Sequence, residues 1–307
     1  MKLSVVIPAY RAEATLPQAL ASLEAAVTRW CAATGAGRDE AEVIVVEDAE
    51  GKGPSWARNR GLERATGECV FFCDADDTVK EDFLAKPYRE LERTGADLCF
   101  FTYAGGPKLR AETFDGNARV RERYLPAFFG YGNDDVRRWN AGGALNARKE
   151  PGQVWRCAFR RAFLIRERIR FDESMTYFED AAFLSSCVAF AERVASLPDE
   201  LYVYCPRPGG NLGSGWKSAR HWDYKFKVLA FRKRLDAATD GPVWRYCEAS
   251  CALAALEILK EHRADLARYL SDDRVRQALR AFPVSPRHPL AMLAVWYLRL
   301  RGKVCRR

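Results

Sequence analysis

The chain has 307 residues, of which 48% are hydrophobic and 12% aromatic, enough for one large domain or one domain with an appended part. Its net charge of +8 is unevenly distributed, because residues 274–307 contain nine Arg or Lys and no acid. The rest of the chain is nearly neutral and carries no zinc-finger or RRM-type motif, so the sequence does not favour nucleic-acid binding.

The start of the chain and the cysteines both bear on its compartment. Met1-Lys2-Leu3 leads straight into a short strand-like run, which does not resemble a secretion signal. The ten cysteines are scattered, form no Cys-x-x-Cys pair and have no neighbours that complete a zinc site. We therefore expect a reducing, cytoplasmic environment.

The first 103 residues alternate between two periodicities. Short apolar runs predict strands at residues 3–9, 42–47, 69–73 and 97–103. Helical spacing predicts helices between them, at residues 16–34, 55–65 and 81–94. This alternation is typical of a parallel, doubly wound α/β sheet with right-handed crossovers.

The remainder of the chain is predicted to complete one domain and add a helical region. Residues 104–150 are rich in Gly, Asn and Arg and are expected to form excursions over the site. A helix at 181–191 and a strand at 194–204 follow, and then helices at 224–235, 243–262 and 264–281. We predict a domain at 1–218, with halves at 1–103 and 104–218, and a helical C-terminal region with a basic tail at 219–307.

Three carboxylates end the third predicted strand, in the stretch Cys69–Thr78. Ligands of doubly wound sheets bind beyond the carboxyl ends of the strands, where Tyr10 and Asp48 also fall. A divalent cation, completed by substrate phosphates, would relieve the repulsion among these acids. The alternative is a solvated loop whose Asp77 or Thr78 caps a helix.

Taken together, five motifs resemble those of glycosyltransferase family 2, in the order and at the spacing of that family. They lie at residues 4–10, 43–48, 57–68, 71–77 and 177–183. The resemblance covers roughly residues 3–205 and implies a GT-A fold, a Rossmann-like and mostly parallel sheet flanked by helices. It also implies inverting transfer of a sugar from a nucleotide-sugar donor, with residues 1–103 as the nucleotide-binding half of the domain and residues 104–218 as its acceptor half.

The resemblance assigns donor-site roles to matching positions. The implied nucleotide-sugar-binding residues are Pro8, Tyr10, Asp48, Arg58, Asp74 and Asp76. Asp76 is the expected ligand of Mg²⁺ or Mn²⁺, Asp74 lies near the ribose or the metal, and Asp77 is interpreted as a helix cap. The second motif reads Val46-Glu-Asp-Ala-Glu50 and departs from the usual Val-Asp-Asp-Gly-Ser, which leaves the identity of the nucleotide base open. A UDP-sugar is favoured because Asp48 can accept from a ring N–H of uracil.

An inverting transfer needs a base for the proton of the acceptor hydroxyl. Asp180 matches the catalytic Asp of the family, with Glu179 beside it. Trp155, Glu179 and Arg207 are candidates for contacts to the acceptor or the diphosphate.

Each of these residues has a structural alternative. Glu179 and Asp180 suit the first turn of a helix. Tyr10 suits a core edge, Asp48 an Asx turn and Arg58 a solvated helix face. For Trp155 and Arg207 the alternatives are a core aromatic and a surface Arg.

Near the C-terminus, the apolar run Pro289–Leu298 is too short to span a bilayer and is followed by five basic residues. It suits either an interfacial anchor or a terminal helix packed on the body. For the first case, we predict peripheral membrane contact through residues 286–307, at the inner face of the cell membrane. The family resemblance separately implies a glycan or lipid-linked acceptor in bacterial surface polysaccharide synthesis.

Two other functions compete with sugar transfer. The Asp-x-Asp-x-Thr pattern from Asp74 also fits a magnesium-dependent haloacid-dehalogenase-type phosphatase, with Asp74 as nucleophile and Asp76 as acid or base. That motif normally follows the first strand of its sheet, whereas here it follows the third. The other alternative is a non-catalytic nucleotide-binding assembly subunit.

Overall fold

The computed structural model describes residues 3–145, 152–206, 221–240 and 243–304. The chain forms two compact units. The first comprises Met1–Val120 and Gly152–Gly215, and the second Arg121–Pro151 and Trp216–Arg307. Residues 121–151 thus fall in the second unit. The sequence interpretation placed them in the half at 104–218, and the predicted domain boundaries stay a prediction.

The described elements follow the chain in this order. The strands are β1 (Leu3–Ala9), β2 (Ala41–Glu47), β3 (Cys69–Phe72), β4 (Thr78–Val79), β5 (Leu98–Tyr103), β6 (Glu112–Asp115), β7 (Cys157–Arg160) and β8 (Arg193–Val203). The α-helices are α1 (Leu16–Thr34), α2 (Pro54–Arg64), α3 (Ala85–Thr94), α4 (Asn117–Phe128), α5 (Asn133–Asn140), α6 (Arg161–Arg166), α7 (Glu179–Phe190), α8 (His221–Ala238), α9 (Trp244–Glu261), α10 (Leu266–Leu270), α11 (Asp273–Ala281) and α12 (Pro289–Val304).

The sheet of the first unit is mixed, with the order β2-β1-β3-β7-β5-β8-β4, and β6 also pairs with β8. β1 runs parallel to β2 and β3, and β5 runs parallel to β8. β7 lies antiparallel between β3 and β5. The α/β fold class and the mostly parallel sheet are confirmed. Because β7 is antiparallel to both β3 and β5, the four strands predicted in the first 103 residues all run in the same direction. Three of the four residues of β7 are fully buried, so this later strand fits the centre of the sheet.

Two glycines fix how closely the chain approaches β1. A Cβ on Gly61 in α2 would lie 2.1 Å from Cγ1 of Val6, and one on Gly67 would lie 2.5 Å from the carbonyl carbon of Leu3. Gly67 also donates its N–H to Oγ of Ser4 at 2.8 Å. Because α2 and the turn into β3 pack directly on β1, the ends of β1 and β3 are held in register.

The second unit is helical in its described residues. The predicted helices at 224–235 and 243–262 correspond to α8 and α9, whereas the one at 264–281 is divided into a 3-10 turn at Arg263–Asp265, α10 and α11. Its core includes Cys247, Cys251, Leu270 and Val275, all fully buried. Within the described ranges, none of the helices has the length and apolar character needed to cross a membrane.

Candidate active site

The ends of β1, β2 and β3 meet at one edge of the sheet. The N–H of Asp48, just after β2, donates to the carbonyl of Ala9 at 2.8 Å, and the N–H of Cys73 donates to that of Val6 at 3.1 Å. This arrangement brings the residues that follow the three strands, Tyr10, Asp48 and the acids from Asp74 onward, to the same edge, as expected from the sequence.

The residues after β1 and β2 form one wall of this edge. Tyr10 is 46% exposed, and its ring lies beside Gly51. Asp48 is buried and accepts from the N–H groups of Lys52 (2.8 Å) and Gly53 (2.7 Å). Asp48 therefore orders the 48–53 loop as the turn alternative expected, and its role toward a base stays a prediction. Pro8 lies partly buried within β1.

Arg58 is the central cation of the site. It projects from α2, is only 4% exposed, and donates from Nη2 to Oδ1 of Asp74 at 2.9 Å and from Nη1 to Oδ1 of Asp180 at 2.6 Å. A third carboxylate, that of Glu179, lies 3.7 Å from Nη1. Burial opposes the charge of the guanidinium, but the charges of Asp180, Asp74 and Glu179 raise its pKa above the ordinary value. The solvated-face alternative for Arg58 is therefore wrong.

The neighbouring residue of α2 holds the segment that leads to α7. The side chain of Asn59 is buried, donates to the carbonyl of Phe171 at 3.0 Å and to Oε1 of Glu173 at 2.8 Å, and accepts from the N–H of Phe171. Phe171 in turn stacks on Phe183 of α7, with ring centroids 4.0 Å apart. These contacts fix the position of α7 relative to α2.

Glu179 and Asp180 open α7, directly after Phe178, which has a positive φ of 69°. Oδ2 of Asp180 also accepts from the N–H of Val154 at 3.2 Å. Burial raises the pKa of both carboxyls. For Glu179 the charge of Asp180 adds to this effect, and for Asp180 the charge of Arg58 opposes it. A carboxylate with a raised pKa is a stronger proton acceptor than an ordinary one, which suits a general base.

The three acids after β3 have different surroundings. Asp74 is partly exposed, and its N–H donates to the hydroxyl of Tyr202 at 3.0 Å. Asp77 is buried and accepts from that hydroxyl at 2.8 Å and from the N–H of Cys205 at 2.7 Å. The interpretation of Asp77 as a helix cap is therefore wrong, because the antiparallel pairing of β4 with β8 turns its carboxylate toward β8. Asp76 is partly buried.

The donor set suits a hard cation that binds together with phosphate. In the part of the chain that the structure describes, no group of three or more His, Cys, Asp or Glu side chains is placed to hold a metal ion. The carboxylate of Asp77 accepts from Tyr202 and Cys205, and Oδ1 of Asp74 accepts from Arg58, while Asp76 is the third acid of the loop. One or two carboxylates completed by substrate phosphates are the usual protein ligands of Mg²⁺.

The other candidate residues have different outcomes. Trp155 is buried, stacks on Tyr202 with centroids 4.1 Å apart and meets Tyr103 edge-on at 5.0 Å, as the core-aromatic alternative expected. Arg207 lies outside the described residues. The sequence interpretation gave no role to Asn59, although this residue lies within the motif at 57–68. It also gave no role to Tyr202, for which the only sequence signal is its place in an apolar strand.

Comparisons with known proteins agree with this fold. Residues 33–145 match the family model described as Glycosyl transferase family 2. The structure of Staphylococcus aureus TarS 1–349 in complex with UDP superimposes with a TM-score of 0.58, covering 99% of this chain and 89% of that one at 18% identity. At that identity the likeness shows a shared fold.

Two bacterial proteins are similar in sequence. "Succinoglycan biosynthesis protein ExoO" of Rhizobium meliloti is 29% identical over 162 residues, 52% of this chain and 43% of ExoO. "Uncharacterized glycosyltransferase EpsJ" of Bacillus subtilis is 27% identical over 267 residues, 80% of this chain and 72% of EpsJ. The chain thus spans less than half the length of ExoO.

The fold and these matches define a glycosyltransferase with the GT-A architecture. The match to glycosyltransferase family 2 itself covers residues 33–145 of the chain.

Proposed function

We propose that this protein is an inverting glycosyltransferase that moves a sugar from a UDP-sugar to a hydroxyl of a glycan or lipid-linked acceptor in bacterial surface polysaccharide synthesis. The names of its relatives support the setting: ExoO is a succinoglycan biosynthesis protein, and TarS is a poly(ribitol-phosphate) β-N-acetylglucosaminyltransferase. The solved complexes of TarS with UDP and UDP-GlcNAc support the choice of donor. A lipid-linked acceptor would place the enzyme at the inner face of the cell membrane.

One observation carries the proposal, the bridge that Arg58 makes between Asp74 and Asp180. Asp74 follows β3 on the donor side, and Asp180 begins α7, more than a hundred residues later. A single buried guanidinium holds both carboxylates within 3 Å of its nitrogens. The candidate base is thereby fixed relative to the acids that would meet the diphosphate, as an in-line displacement at the anomeric carbon requires.

In this mechanism Asp180 accepts the proton of the attacking hydroxyl. Arg58 orients Asp180 and, through its charge, keeps it ionised despite burial. The carboxyl of Glu179 lies 3.7 Å from the same Arg58 nitrogen that contacts Asp180, so the protonation of one acid affects the pKa of the other. Tyr10 and Asp48 would receive the uracil, by stacking and by accepting its ring N–H.

Asp76 and Asp74 would hold Mg²⁺ or Mn²⁺, and the bound cation would neutralise negative charge on the departing diphosphate. The chain itself brings the acids of this loop into place through β3 and through the hydroxyl of Tyr202, which contacts both Asp74 and Asp77.

The two competing functions have less support. The matches to glycosyltransferases favour transfer over phosphatase chemistry, and Asp74 is paired with a buried Arg rather than free to attack a phosphate. A non-catalytic subunit would not need a carboxylate of raised pKa fixed next to the donor acids.

Titration calorimetry of nucleoside diphosphates in the presence of Mn²⁺ or Mg²⁺ tests the donor side. We expect UDP to bind more tightly than GDP, CDP or ADP, and to lose affinity when the metal is removed, because Asp74 and Asp76 then repel the diphosphate. The affinity of the Asp76→Ala variant for UDP should no longer depend on metal. Asp134 is an exposed acid of α5, and the Asp134→Ala variant should bind UDP like the wild type. Equal binding of UDP with and without metal, or no binding, would contradict this part of the proposal.

A further inference from the structure

The helix α12 exposes an unusual number of large apolar side chains. Five of its residues are between 45% and 83% exposed, namely Leu290, Leu293, Trp296, Tyr297 and Leu300. At 3.6 residues per turn, these five positions fall within an arc of about 120°. They therefore form a continuous apolar stripe along one face of the helix, which we call the α12 stripe.

The opposite face of α12 is already used for packing within the second unit. Val295 and Leu298 are fully buried, and Gly302 lies against the aliphatic part of Arg276 in α11. Arg299 donates to the carbonyls of Leu279 and Phe282. The helix is therefore anchored by one side, and the α12 stripe is not needed for that packing.

Basic residues border the α12 stripe at its C-terminal end. By the same helical geometry, Arg301 and Lys303 fall at the two edges of the stripe, one on each side, and both are exposed. The chain continues with Arg306 and Arg307, and residues 274–307 contain no acid. The segment that carries the α12 stripe thus combines large apolar side chains, including Trp and Tyr, with basic residues and no acid.

We propose that the α12 stripe lies in the interface of an anionic phospholipid bilayer, with α12 parallel to the membrane plane. Trp and Tyr favour the boundary between headgroups and acyl chains, and Lys and Arg at the edges of an apolar face attract anionic lipids. The 16 residues of α12 span about 24 Å, too short for the roughly 30 Å hydrocarbon core, so the helix lies on the bilayer rather than across it.

The charges favour a lipid surface over a second copy of the chain. If the α12 stripes of two copies paired, neither helix would supply a carboxylate for Arg301 or Lys303, because the whole region has no acid. An anionic bilayer supplies both an apolar layer and a negative surface. The inference rests on α12 alone and is independent of the transfer chemistry proposed for the first unit.

Flotation of the full-length protein with vesicles tests the inference. We expect binding to phosphatidylglycerol–phosphatidylcholine vesicles and little binding to pure phosphatidylcholine. The triple variant Leu293→Gln, Trp296→Gln, Leu300→Gln should bind at least about tenfold more weakly, because these side chains provide the apolar contact. Arg301→Gln and Lys303→Gln should each weaken binding about fivefold, and high salt should do the same to the wild type.

The matched control is Ile165→Gln, which alters a comparably exposed apolar side chain of the first unit and should leave vesicle binding unchanged. UDP affinity, measured on the same variants, reports folding and donor binding separately from membrane binding. Wild-type protein that fails to float with anionic vesicles overturns the inference. The inference is also overturned if the wild type sediments as a dimer, the triple variant sediments as a monomer, and the two proteins bind vesicles equally.

Discussion

Asp180→Asn should reduce turnover about 10²- to 10⁴-fold while leaving the affinity for UDP within about twofold of the wild type. The amide retains the shape of the side chain and an oxygen that can still accept from Arg58, but it cannot take the proton of an acceptor hydroxyl. Release of UDP from the donor, measured at saturating substrate, gives kcat, and calorimetry gives the affinity.

Glu179→Gln is the comparison that assigns the role. It removes the other carboxyl of the pair, which lies farther from Arg58 and beside Asp180. We expect a smaller loss of kcat and a shift of the acidic limb of the pH–rate profile to lower pH, because the negative charge of one acid raises the pKa of the other. A larger loss in Glu179→Gln than in Asp180→Asn would assign the base to Glu179.

Arg58→Met should be the most disruptive single substitution in the site. It leaves Asp74 and Asp180 without the cation that both contact, and removal of one partner from a buried ion pair typically costs about 3–5 kcal/mol in the free energy of unfolding. Urea denaturation measures that loss. Arg60→Met is the matched control on the same helix, because Arg60 makes an exposed pair with Glu63 that contributes at most about 1 kcal/mol.

The pH–rate profile separates a positioning role of Arg58 from simple stabilisation. The charge of Arg58 lowers the pKa of Asp180 against the effect of burial, so its loss raises that pKa further. The ammonium of Arg58→Lys cannot reach both carboxylates, so it should lower the pKa of Asp180 less than the guanidinium does. A base works only when it is ionised. As the pH is lowered, the variant should therefore lose activity at a higher pH than the wild type. An unchanged acidic limb in an Arg58→Lys variant that still turns over would contradict this role.

Much of the fold could be predicted from the sequence because its signals are local. The apolar runs of β1, β2 and β3 and the helical spacing at residues 55–65 gave nearly correct bounds. The place of β7 could not be predicted, because Cys157–Arg160 is a short buried run whose neighbours, β3 and β5, are distant in the chain. Parallel or antiparallel pairing of such a run depends on tertiary contacts.

The site shows the same division. The motifs indicated Asp74, Asp180 and Arg58 separately, but no local pattern indicated that one guanidinium joins them across 122 residues. Asp77 was misassigned because its partners, Tyr202 and Cys205, lie on and after β8, and the sequence around Asp77 equally suits a cap. The burial of Trp155 likewise depends on its stack with Tyr202, which is 47 residues away in the chain.

The stereochemistry of transfer tests the central claim most directly. Proton NMR can follow the first sugar product formed from a UDP-sugar whose sugar is α-linked, with water as the acceptor if no other is known. A single displacement assisted by Asp180 predicts that the β-anomer forms first, before mutarotation, and that Asp180→Asn forms it at least about 10²-fold more slowly. Initial formation of the α-anomer, or an undiminished rate in the variant, would contradict the mechanism.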